Sequence, residues 1–409
     1  MKYLFVHQNF PGQYLHILQH LTTDPSNEIV FMSEPSSRSM DGVRRLLYTF
    51  PRPDQEAIHP VARDLDYAGR RAELVSNMAA NLKRLGFVPD IIIGHHGWGE
   101  LLDLVDIWPG VPLLGYFEFY YHTDGADVVY DPEFVMAPDR FPRVRAMNAI
   151  NLLALNLGQH GQTPTRFQRD TYPEWARPSI RMIREGAQLD VCKPDPAARK
   201  RRFEIGDFKV APGEKLLTYV ARNLEPYRGY HTMMRALPQL MRDRPDLKVV
   251  MIGGDDVSYG ARLANDTWRN VFLREVESRI DMNRLCMPGQ IAYDKYLELL
   301  KRSDTHVYLT YPFVASWSLR EALAMGCAIV ASDVESVTEF ITHDDNGLLV
   351  PGLDPGTLAD TVLKVLADTK LNKRLRVSAR RYAETHLDMK DYIASMMATI
   401  AELTGKPVT

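Results

Sequence analysis

The chain has 409 residues, 45% of them hydrophobic and 25% charged, with a formal net charge of -3. That length suffices for two or three domains at roughly 100–200 residues each, the composition is ordinary for a folded globular protein, and the charge balance gives no global pull toward nucleic acid, although local arginine clusters can still meet anions. Cys192, Cys286 and Cys327 stand far apart and in no metal-ligand spacing, which predicts inert thiols in a reducing compartment. The opening "MKYLFVHQNFPGQ" has too short an apolar run for a signal peptide, and no stretch approaches about 20 apolar residues. The expectation is a cytoplasmic protein that can touch the inner face of a membrane without crossing it.

In chain order, the first strand candidates are "KYLFV" (2–6), "EIVFM" (28–32), "DIIIG" (90–94), "VPLLGY" (111–116), "NLLALN" (151–156) and "IRMI" (180–183). They show no polar alternation, as expected of strands buried on both faces of a parallel sheet. Helical patterns over 13–22 and 67–85 lie between them. The first strand-to-helix turn carries Gly12, which lets backbone approach a ligand closely, but the stretch is not G-x-G-x-x-G. A second strand-end loop, "GHHGWGELL", holds His95, His96, Gly97 and Glu100, and its adjacent histidines lack the i, i+4 spacing of a helical metal pair. A third, "GYFEFYYHTDG" (115–125), sets Glu118 and His122 among aromatics. It suits either a sugar-stacking platform or an aromatic core with an exposed tail.

Residues 190–215 are rich in proline and charge and read as an inter-domain connection. A second series follows, with strands at 215–220, 247–253, 306–310 and 327–332. Tyr293, Tyr296, Leu297 and Leu300 mark one buried helix face, and Asp354-Pro355 reads as an N-cap with an N1 proline. Two such series predict an α/β protein of two Rossmann-like, doubly wound domains, 1–190 and 191–388, with ligands in the cleft beyond the carboxyl ends of their strands.

Three stretches of the second series carry candidate chemistry. In "TYVARNLEPYRGYHTMM", Arg222 and Arg228 follow a strand and precede a helix, which fits an anion site or two solvated arginines equally. In "YPFVASWSLREALAMGC", Ser316 or Ser318 reads as an N-cap and Gly326 as the helix stop. The N–H groups around Ser316, Trp317, Ser318 and Leu319 can meet a diphosphate, and Glu321 either accepts from a vicinal diol or serves only as a helix-start carboxylate. "GGDDVSYG" places Asp255 and Asp256 side by side, where they point apart, and reads as a turn.

Together "NFPGQY", "GHHGWGE", "LLGYFEFYYHTDGADVVYDPEF", "QTPTRFQRDTYP", "ARNLEPYRG" and "YPFVASWSLREALAMGC" make the chain resemble the family-4 retaining glycosyltransferases of the GT-B fold over essentially its whole length. The resemblance implies a C-terminal domain that binds a nucleoside-diphosphate sugar and an N-terminal domain that binds the acceptor, with the stretch 389–409 crossing back onto the latter. It assigns the diphosphate to Arg222 and Arg228, the ribose to Glu321, the base to backbone groups at Ile291 and a close approach to the donor to Gly12. It implies no cofactor beyond the donor and no metal, because two guanidiniums stabilise the leaving diphosphate. The implied reaction moves a hexosyl unit, with retention, from a UDP-sugar first or a GDP-sugar second to a glycan or lipid-linked acceptor hydroxyl, in surface polysaccharide or glycoconjugate assembly. An epimerase or hydrolase on the same fold, or a silent sugar-nucleotide-binding protein, are the alternatives. Two positions depart from the family. Phe313 replaces the first acid of E-x7-E, and is expected either to face the sugar or to lie in the core. Glu118 takes the place of a strand-end histidine, with His122 just beyond, and is expected to contact the donor sugar.

Overall fold

A computed structural model describes residues 1–407 except 52, 54–56 and 125–126. Gly125 of the aromatic loop and residues 408–409 of the last expected stretch therefore lie outside the described residues. The chain divides into two compact units, one of 1–129, 134–185 and 389–409, the other of 130–133 and 186–388.

The first unit is built on a seven-stranded sheet of β1 (Lys2–Val6), β2 (Glu28–Ser33), β3 (Val43–Leu47), β4 (Ile91–His95), β5 (Leu113–Tyr116), β6 (His160–Thr163) and β7 (Ile180–Met182), in the order β3-β2-β1-β4-β5-β6-β7. Every pairing is parallel. The unbroken apolar runs serve both faces. Tyr3, Phe5, Phe31, Ile91 and Ile93 pack with Met396 and Ile400 of the helix Met389–Thr404. Leu4, Val6, Val30, Met32 and Ile92 pack on Val75, Ala79 and Leu82 of the helix Arg63–Arg84.

The second unit holds a hairpin, β8 (Phe203–Ile205) with β9 (Phe208–Val210), and a six-stranded parallel sheet. That sheet contains β10 (Lys215–Asn223), β11 (Leu247–Gly254), β12 (Leu285–Gly289), β13 (Thr305–Tyr308), β14 (Ile329–Ser332) and β15 (Leu348–Val350), ordered β12-β11-β10-β13-β14-β15. Asp354 caps its helix by accepting from the Thr357 N–H at 3.0 Å, ahead of Pro355. The two ends of the long segment Gly186–Asp388 of this unit meet where the Ala187 N–H donates to Leu387 O at 2.8 Å.

Three readings of the sequence need correction. "NLLALN" is the helix Ala149–Asn156, not a strand. Its leucines, alanine and asparagines include no β-branched residue, and Ile150, Asn151 and Ala154 form a helical buried face while Leu152 and Leu153 are exposed. The sixth strand is instead the short, polar "HGQT", and the half-exposed "VRRLL" supplies an edge strand that apolar content could not reveal. The connection at 190–215 contains the β8–β9 hairpin, whose Gly206 sits at φ +54 in a two-residue turn. No helix among the described residues is long and apolar enough to cross a membrane.

Met396 is fully buried in the first unit's core. Met396→Ala should cost about 2–5 kcal/mol of stability by leaving a cavity, read as a lowered urea midpoint. An unchanged midpoint would contradict docking of the last helix on that core.

Candidate functional site

In the second unit, β11, β10 and β13 are neighbours, so the loops leaving their carboxyl ends emerge side by side. Arg222, near the end of β10, is exposed and forms no ion pair among the described residues. Arg228 ends a short 3-10 turn, Pro226–Arg228, and is only 7% exposed. Its Nη1 donates to Thr310 Oγ1 and to Val314 O, both at 3.0 Å, and its guanidinium lies 5.2 Å from the Tyr259 ring centroid. Gly229 follows at φ +66, where an added Cβ would fall 2.4 Å from Leu309 Cβ. The sharp turn therefore requires glycine, and it seats Arg228 against the loop after β13.

That loop leads into the helix Trp317–Ala324. Ser316 occupies the N-cap position, but its hydroxyl bonds Ser318 Oγ at 2.6 Å and makes no cap. Its N–H donates to the Tyr308 hydroxyl at 2.8 Å. Leu319, expected among the diphosphate contacts, has a fully buried side chain, and its N–H donates to Ser316 O at 3.2 Å. Trp317 and Ser318 remain half-buried at the helix start. Of the two outcomes expected for Phe313, the buried one holds. The ring is 1% exposed, 4.6 Å from Tyr259 and 6.0 Å from Tyr227.

Glu321 accepts from the Tyr293 hydroxyl at Oε1 (2.7 Å) and from the Tyr296 hydroxyl at Oε2 (2.8 Å). Burial raises its carboxyl pKa even though both hydroxyls favour the ionised form. Tyr293 also lies 3.6 Å from Cys192 Sγ, whose thiol burial pushes up to about 11. The sequence shows these tyrosines only as one stripe of the helix Tyr293–Arg302; nothing in that periodicity reveals that both hydroxyls meet one carboxylate. Ile291 lies in the turn between β12 and this helix and is half-buried.

Glu225, which the sequence reading passed over, is fully buried. Its carboxylate accepts from the N–H groups of Ser258 (2.9 Å), Tyr259 (3.4 Å) and Gly260 (3.0 Å). Asn223 Nδ2 donates to Ser258 Oγ at 2.9 Å. The loop after β11 is thus held in shape from β10. Asp255 pairs with Arg269 at 2.6 Å and Asp256 with Arg262, so the adjacent acids do point apart.

The described residues include one cluster with metal-ligating side chains, Asp131, Glu133 and His231. Asp131 accepts from the Tyr311 hydroxyl and pairs with His231 Nε2 at 3.0 Å, while Glu133 forms a two-pronged pair with Arg235 at 2.6 and 2.8 Å. Each acid already has an internal partner.

In the first unit, Gly12 sits at φ +57, and a Cβ there would lie 3.1 Å from His7 Nδ1. His7 meets His95 edge-on at 5.6 Å, and His95 Nε2 lies 3.6 Å from Glu118 Oε2. The carboxyl ends of β1, β4 and β5 thereby bring His7, His95 and Glu118 into one row, a grouping that the spacing 7, 95 and 118 conceals. His96 is fully buried against Phe117, and burial lowers its pKa to about 3, so it stays neutral. Glu100 is also buried, accepting from the Tyr48 hydroxyl at 2.9 Å. His122 Nε2 bonds Thr171 O at 2.7 Å, while Phe117 and Phe119 fill the core.

Two family descriptions match the chain: Glycosyl transferase family 4 group over residues 25–192 and Glycosyl transferases group 1 over residues 201–382. The chain is 26% identical over 232 residues to the D-inositol 3-phosphate glycosyltransferase of Jonesia denitrificans, covering 55% of this chain and 51% of that protein. It is 26% identical over 196 residues to the phosphatidyl-myo-inositol mannosyltransferase of Mycolicibacterium smegmatis, covering 45% of this chain and 46% of that protein. The chain thus spans about half the length of the curated relatives it matches. Among solved structures, sucrose-phosphate synthase of Thermosynechococcus elongatus superposes with a TM-score of 0.75 at 15% identity, covering 99% of both chains. HepE of Anabaena, in complex with UDP and glucose, superposes with a TM-score of 0.68 at 16% identity, covering 98% of this chain and 99% of its own. These likenesses are of fold. With two parallel-sheet α/β units and both family matches, the chain belongs to the family-4 glycosyltransferases of the GT-B fold.

Proposed function

We propose that the protein transfers a hexosyl unit from a nucleoside-diphosphate sugar to an acceptor hydroxyl, with retention at the anomeric carbon. The observation that carries this reading is the fastening of Arg228 to Thr310 and Val314, which joins the loop after β10 to the turn that opens the helix Trp317–Ala324. An exposed Arg222, a buried Arg228 and the start of that helix then flank one place where negative charge is favoured. Charge develops on the leaving diphosphate during transfer, and fixed guanidiniums and N–H groups stabilise it without a metal.

In this reading, Glu321 holds the ribose. Each carboxylate oxygen has a second lone pair beyond the one used by tyrosine, so a diol can add to the network or displace the exposed Tyr293 hydroxyl. Ile291 supports the base with backbone groups, and the second unit binds the donor. The first unit binds the acceptor, and Gly12 and Glu118, the latter paired to His95, are its proposed substrate-contacting residues. UDP is the first choice of nucleotide and GDP the second. HepE, which shares the fold, was solved with UDP and glucose. The matched inositol phosphate and phosphatidylinositol transferases extend the acceptor choice from glycans and lipid-linked sugars to phosphorylated polyols. A cytoplasmic enzyme reaching its acceptor at a membrane surface fits such acceptors.

Charge-assisted hydrogen bonds contribute about 1.5–3 kcal/mol each. Arg222→Ala should therefore weaken UDP binding roughly 10- to 150-fold by calorimetry; a folded variant with unchanged affinity would end the diphosphate assignment. Glu321→Gln should lower affinity for UDP while leaving a 2′,3′-dideoxy analogue nearly unaffected, and equal losses for both would make Glu321 structural. Activity should survive excess EDTA. Loss on chelation, restored by Mn²⁺ or Mg²⁺, would show that a metal does the work assigned to the arginines.

A further inference from the structure

The resemblance leaves one place unaccounted for. Where the family pattern has a sugar-facing acid, this chain has a buried ring, Phe313. Tyr259, from the loop after β11, lies on that ring at 4.6 Å and above the Arg228 guanidinium at 5.2 Å. Unlike Phe313, Tyr259 is 36% exposed. The loop that carries it departs from a strand end, yet its backbone N–H groups are not left to water. Three of them converge on the fully buried carboxylate of Glu225. A buried carboxylate is an unusual way to hold a surface loop, since a carboxylate is costly to desolvate unless its lone pairs are filled. Here they are filled by backbone donors on both sides of Tyr259, which fixes the direction in which the ring projects.

We infer that Tyr259 forms the wall against which the transferred sugar packs and determines donor-sugar preference, and that Glu225 is its positioning residue. The inference rests on the reading of this site as one for a nucleoside-diphosphate sugar. A partly exposed phenol ring with a hydroxyl suits the C–H face and a hydroxyl of a hexose. Glu225 acts through the loop and does not touch the donor.

The test is calorimetric binding of UDP, GDP, UDP-glucose, UDP-galactose, UDP-N-acetylglucosamine and GDP-mannose to the full chain and to Tyr259→Ala, Tyr259→Phe and Glu225→Gln. For each nucleotide, the quantity read is the ratio of sugar-nucleotide affinity to nucleotide affinity. Tyr259→Ala should change that ratio by about 3- to 10-fold, unequally among sugars, while nucleotide affinity stays within about 3-fold. Tyr259→Phe keeps the ring and should keep the order of sugars. Glu225→Gln should shift the same ratios in the same direction and speed tryptic cleavage after the exposed Arg262 in the freed loop. Ratios unchanged in Tyr259→Ala overturn the wall. Ratios and cleavage both unchanged in Glu225→Gln overturn its positioning role. A parent chain that binds neither UDP nor GDP instead overturns the donor reading on which the inference stands.

Discussion

The site depends first on one buried cation. Arg228 has left water, so its guanidinium must be answered from within the protein. Both hydrogens of Nη1 are committed, to Thr310 and Val314, and the Tyr259 ring offers its face above the plane. These contacts link three strand-end loops that are far apart in sequence. Gly229 is the geometric condition for this arrangement, because any other residue would carry a Cβ into Leu309.

Around that cation, two carboxylates set the positions of neighbouring parts. Glu225 gathers backbone N–H groups and fixes a loop, and Glu321 gathers two tyrosine hydroxyls and fixes the helix Tyr293–Arg302 against the helix Trp317–Ala324. The two differ in what they leave available. Glu225 is fully buried and has its oxygens turned to the backbone, which suits scaffolding. Glu321 is half-buried and is partnered by hydroxyls, one of them on the exposed Tyr293, which suits exchange with another hydroxyl-bearing group. The raised pKa of Glu321 follows from the same partial burial.

The sheets were legible where strands are buried on both faces. β1, β2, β4, β5, β10, β11, β13 and β14 stand out as apolar runs because side chains of both parities pack into core. The short polar β6 and the charged edge strand β3 lack that signal, and "NLLALN" shows that a short apolar run does not distinguish a strand from a helix. The site was legible only in its local parts. A strand-end arginine or a helix-start turn can be read from neighbours in the chain. The meeting of Glu225 with residues 258–260, of Glu321 with Tyr293 and Tyr296, and of His95 with Glu118 requires the sheet order to be known first. Phe313 illustrates the limit most plainly: the residue marks a departure from the family, but only its packing against Tyr259 and Tyr227 shows it to be an interior ring.

The proposed diphosphate site rests on charge fixed at the ends of β10 and β13. The most direct measurement is a crystal structure of the protein soaked with UDP. Phosphate oxygens should lie within hydrogen-bond distance of the Arg222 guanidinium and of N–H groups at Trp317 or Ser318, with the ribose hydroxyls on Glu321. A nucleotide bound elsewhere, with Arg222 in solvent and Glu321 still holding only its two tyrosines, would contradict it.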